Sequence, residues 1–156
     1  MFRQKIKFNY KPIKMKKNKI IFWIATAIIF IWEGLMPLST VLWAPQYVNA
    51  GTKPLGYPDY FAYALIVCKI LGVLAIAFPK TPHLLKEWAY AGLTFNLVFA
   101  FISHAVVDKN LGFMIMPVAF LAILVVSYIY YHKIKQQTTT SRLSKEKMSF
   151  NRAMAV

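Results

Sequence analysis

The chain has a single cysteine, Cys68, in 156 residues. One thiol excludes an internal disulfide and a C-x-x-C dithiol pair, and it leaves the redox compartment open. Acids are almost as scarce, five against nineteen lysines and arginines. Paired carboxylates are absent, as are H-E-x-x-H, a phosphate loop and G-x-S-x-G, which removes the commonest hydrolase and nucleotide-binding readings. Three histidines are present, and only His104 falls inside an apolar run. Haem held between membrane helices needs facing histidines, so it is not expected. Nor does the sequence display the convergent ligands of a zinc site, and no metal is expected. There is no internal repeat.

Apolar residues are what the chain has in abundance. They make up 58% of it, and the mean hydropathy of +0.48 is too high for an ordinary soluble domain. The net charge of +14 would suggest nucleic acid if it were spread evenly. It is not. Residues 1–19 carry +8 and residues 132–156 carry +5, leaving +1 on the 112 residues between them. Two basic tails flanking a neutral apolar middle describe a membrane protein, with anionic lipids as partners of the tails and no nucleic acid.

Four apolar runs are long enough to span a bilayer: Ile20 to Leu42, Tyr60 to Phe78, Trp88 to Val107, and Leu111 to Tyr131. Lipid offers backbone groups no partners, so these runs must be helices. The expected fold is an all-α transmembrane four-helix bundle. Segment 1–19 is then a basic cytoplasmic arm, 20–131 the membrane domain, and 132–156 a basic, disordered cytoplasmic tail. With four spans both termini share a side, and sixteen of the basic residues fall there with the loop carrying Lys80 and Lys86. That side is cytoplasmic by the positive-inside rule. The basic start resembles a signal peptide, but the apolar run exceeds the usual h-region. Thr81-Pro82 reads as a helix opening, with threonine as cap and proline in the first turn. His83, Lys86 and Glu87 should then lie near water.

Charges inside spans are costly and need partners. Helix rise puts Glu33 roughly 20 Å below the cytoplasmic face and Lys69 roughly 16 Å below it. An ion pair between them is expected, and it is the candidate for a ligand site as much as for a structural clamp. Pro37 removes the donor for the Glu33 carbonyl, which would give Lys69 a second acceptor. Thr26, Glu33 and Thr40 recur every seven residues and should face the bundle interior. Gly92, Asn96, Ala100 and Ser103 form a small and polar stripe suited to close helix packing. His104 with Asp108 at i+4 is a candidate pair at an outer vestibule. Cys68 and the methionines read as packing residues.

Several motifs in order resemble one family. Leu55-Gly56-Tyr57-Pro58 with Tyr60, Lys69-Ile70-Leu71-Gly72, Leu85 through Gly92, Ser103-His104 and Ser127-Tyr128 resemble the DoxX-like family of small four-helix membrane proteins. The likeness covers about residues 15 to 132, and Met15 would be a natural family-type start, with the first fourteen residues an upstream extension. The resemblance implies a bundle in the bacterial cytoplasmic (inner) membrane. It also implies a small subunit or accessory factor of a redox or quinone-stress system, with no resident cofactor expected, a quinone or thiol-type molecule as the ligand a polar site would face, and no secured catalytic residue. The alternative is a non-enzymatic membrane chaperone or assembly module, with a membrane protein as partner and Glu33–Lys69 as a purely structural pair. Family members often carry an acid where this chain has Asn96, which weakens a proton relay there.

Overall fold

The computed structural model describes residues 12–107 and 109–154. The first span is α1 (Pro12–Ile29), a π turn (Phe30–Leu35) and α2 (Met36–Trp43) in one rod. A loop with two short 3-10 turns leads to α3 (Asp59–Ala77), followed by α4 (His83–Val106) and α5 (Leu111–Ala153). No strand occurs among the described residues. All four rods are long and apolar enough to cross a membrane, and α1 packs on α5, α5 on α4, α4 on α3, and α3 back on the π turn. The chain therefore folds as a closed, all-α transmembrane four-helix bundle.

Its outside is apolar. Ile24, Val67, Leu71, Phe95, Phe99, Ile115 and many others are exposed on the rods, a surface that water would not tolerate and lipid tails solvate. The inside is a core of Ile29, Val73, Ile76, Tyr90, Leu93, Leu97 and Leu124. Polar groups hold three rods together near one end. The Ser127 hydroxyl bonds Thr26 Oγ1 at 2.8 Å and the Tyr90 hydroxyl at 2.9 Å. Inside a bilayer such groups have few other partners, so they set register between rods.

The π turn has a local cause. In an α-helix the Pro37 ring would press on the Glu33 carbonyl and lack the N–H to bond it. The backbone widens instead, with the Met36 N–H reaching the Ile31 carbonyl five residues back. The sequence pointed to a freed carbonyl taken up by Lys69. Among the described contacts Lys69 bonds the Glu33 side chain and no bond to that carbonyl occurs.

Three boundaries differ from expectation. Pro82 occupies the cap position of α4 and no side chain caps it, so Thr81 does not play that part. Lys86 is not near water but buried, its Nζ donating to the Ile76 carbonyl at 2.9 Å and lying 5.3 Å from the centre of the Tyr131 ring. A cation on the last carbonyls of α3 satisfies both the orphan acceptor and the helix dipole. Finally, the segment read as a disordered tail is helical to Ala153. Extending a helix already nucleated in the membrane costs little, and Lys, Gln, Arg, Glu and Leu are good helix formers.

The loop over one end is folded rather than loose. Gly56 adopts φ +84°, a left-handed turn that a side chain would strain. Asn49 Nδ2 donates to Asp59 at 3.1 Å, and the Tyr57 hydroxyl bonds Ser103 Oγ at 2.9 Å while its ring stacks on Phe61. Tyr57→Phe should lower the melting stability by about 0.5–1.5 kcal/mol. It should also speed amide exchange in residues 52–57 without slowing or speeding the core. Unchanged exchange there would mean that the tyrosine does not hold the loop down.

Candidate functional site

Glu33 stands on the π turn, 3% exposed, and its Oε2 lies 3.0 Å from Lys69 Nζ on α3. Asn96 on α4 donates its Nδ2 to the same oxygen at 3.2 Å. Three rods thus meet at one carboxylate within their apolar, membrane-spanning lengths. Two donors compensate its negative charge where lipid offers none. Gly34, one residue on, lets α3 approach: a Cβ there would come within 2.8 Å of Val73 Cγ2.

Above this cluster opens a cavity of about 700 Å³. Pro37 and Thr40 of α2, Phe61, Leu65 and Ile66 of α3, and Phe99 and Ala100 of α4 form its largely apolar walls. Lys69 and Asn96 are the polar groups at the level of the carboxylate, while Ser103, His104 and Tyr57 lie toward the loop. On the outer side of α3 and α4 a smaller recess, about 310 Å³, runs past Cys68, Leu71, Gly72 and Trp88. The two share Leu65, Lys69, Gly92 and Asn96 as walls. Gly92 has no side chain, and a Cβ placed there would meet nothing within 4 Å.

An ammonium has three donors, and Glu33 occupies one of them. Lys69 also lines the cavity, so its remaining donors can serve a ligand oxygen. The apolar walls suit hydrocarbon, so the chamber has the mixed character of a small-molecule site.

The other candidates fall into place around this centre. Thr26 bonds Ser127 rather than the ion pair. Thr40 lines the cavity and donates back to the Met36 carbonyl at 3.1 Å. Ser103 is held by Tyr57, a loop residue that its spacing alone did not mark. His104 lines the cavity and packs on Phe113; its expected partner Asp108 lies outside the described residues. Cys68, expected among the packing residues, is instead exposed on the outer side of α3.

One constellation went unseen in the sequence. His83 and Glu87 on α4 meet His132 on α5 at the opposite end of the bundle, their ligand atoms all within 4.8 Å of one another. The expectation that no ligand set converges is therefore corrected. The histidines are far apart in sequence, and only the crossing of α4 and α5 joins them.

Four apolar rods closed into one bundle place the chain among small multi-pass membrane proteins. The sequence profile of the DoxX-like family matches residues 21–127, and the chain belongs to that family. No curated protein and no solved structure is matched.

Proposed function

We propose that this protein binds a lipophilic, oxygen-bearing molecule of the quinone type, as an accessory component of a redox or quinone-stress system in the bacterial cytoplasmic membrane. The head would enter the chamber and accept hydrogen bonds from Lys69 and Asn96, with Glu33 holding the lysine in place. An isoprenoid tail would leave past Gly92 along the recess between α3 and α4. The observation that carries this reading is that the polar floor and the lipid-facing recess share Lys69, Gly92 and Asn96 as walls. Both termini would lie in the cytoplasm, with their basic residues against anionic headgroups.

The test uses purified full-length protein in nanodiscs, titrated with an isoprenoid quinone and followed by tryptophan quenching; Trp88 lines the recess. Saturable binding is expected, weakened roughly tenfold or more, about 1.4 kcal/mol, in Gly92→Leu. No saturable quenching, or equal affinity in that variant, would contradict the proposal. In the chaperone or assembly reading the pair serves the fold alone. The double replacement of Glu33→Gln with Lys69→Met would then keep every function the bundle has.

A further inference from the structure

We propose that His83, Glu87 and His132 form a divalent-metal site, suited to Zn²⁺, that clasps α4 to α5 at the end of the bundle where the basic tails emerge. It lies apart from the chamber and does not depend on what the chamber binds.

The geometry is that of a shared ion. His83 Nδ1 is 3.6 Å from Glu87 Oε1, and His132 Nε2 is 3.1 Å from the same oxygen. Zinc bonds of about 2.0–2.2 Å at tetrahedral angles separate ligand atoms by about 3.4 Å. The two observed edges bracket that value. The third edge, between the imidazoles, lies within 4.8 Å.

Chemistry and surroundings point the same way. Two imidazoles and one carboxylate are a donor set that Zn²⁺ accepts readily, with a fourth position left for water. Glu87 Oε1 and His132 Nε2 are sealed from solvent, yet neither makes an aligned hydrogen bond although they are 3.1 Å apart. Buried polar atoms left without an aligned partner call for one, and a cation held between them would serve both. The other carboxylate oxygen is occupied: the Tyr128 hydroxyl donates to Glu87 Oε2 at 2.9 Å. That bond orients Glu87 so that Oε1 faces the histidines, the role outer partners take in metal sites. The rings are held too, with His132 edge-on to Tyr128 and Tyr131, and His83 against Tyr131. Lys86, the neighbouring cation in sequence, is bonded away to the Ile76 carbonyl.

The experiment takes full-length protein in nanodiscs, stripped with chelator and then titrated with Zn²⁺ by calorimetry. One equivalent per chain is expected, together with a higher melting temperature. Cobalt should give the intense visible bands of a tetrahedral ion. His132→Gln and His83→Gln should abolish both signals. Tyr128→Phe should retain the site but weaken it roughly 10–100-fold, which a merely structural tyrosine would not do. A readout independent of variants is modification of histidines by diethyl pyrocarbonate, mapped by mass spectrometry. Zinc should protect His83 and His132 and leave His104 unaffected. The absence of stoichiometric binding, or binding that survives His132→Gln, overturns the proposal. So does reaction of His83 and His132 at the same rate with and without zinc, which would leave an imidazole–carboxylate bridge and no metal.

Discussion

Lys69→Met should cost about 3–5 kcal/mol of bundle stability, because it leaves the Glu33 carboxylate buried without its cation. Asn96 alone would remain on Glu33 Oε2, and one neutral amide does not compensate a full charge in a medium as apolar as this. Glu33→Gln alone should destabilise by a similar route, stranding an ammonium. The pair replaced together, Glu33→Gln with Lys69→Met, should recover most of the loss, since no charge is then left inside the bundle. The measurement is a double-mutant cycle on unfolding in mixed detergent. A coupling near zero would mean that the two charges do not feel each other. Recovery of stability with loss of quinone binding would separate the ligand role from the structural one.

Gly34→Leu should prevent the bundle from closing. A Cβ at Gly34 already falls within 2.8 Å of Val73 Cγ2, and Val73 is buried and β-branched, so its side chain cannot swing aside within a helix. Even Gly34→Ala should cost about 1–3 kcal/mol by overpacking, outweighing the gain in helix propensity of about 1 kcal/mol. Val73 is one helical turn from Lys69, so parting the rods at Gly34 also lengthens the ion pair. Val73→Ala should relieve Gly34→Ala, and the combined variant should be more stable than additivity predicts. Strictly additive losses would show that the two backbones do not approach there.

The features legible in the sequence are those with a physical signature in one dimension. Four apolar runs and two basic tails define the bundle without reference to contacts. Glu33 and Lys69 stand out because charge in an apolar run is rare, and helix rise alone places them at matching depth. Asn96 was visible as a polar residue on a small-residue stripe, but its attachment to Glu33 depends on how deeply α4 is set, which no spacing encodes. Lys86 looked like an interfacial lysine. Its burial follows from the short turn that brings α4 back to the last carbonyls of α3. The His83, Glu87 and His132 group was invisible for a related reason, since one ligand comes from another rod. Pro37 announced a disturbance of the helix, although it did not say that a widened turn would resolve it. Polar residues after His132 have no apolar face to fix a helix in isolation. They are helical as the continuation of a membrane rod.

The central claim, that an acid of the first rod meets an amine of the second at the floor of the chamber, is open to one direct measurement. Solid-state NMR in lipid bilayers, with isotope labels at lysine Nζ and glutamate Cδ, reads their dipolar coupling. An Nζ to Oε2 separation of 3.0 Å predicts a strong contact that vanishes in Lys69→Met. A spectrum without that contact, or one that the substitution leaves unchanged, would contradict the account.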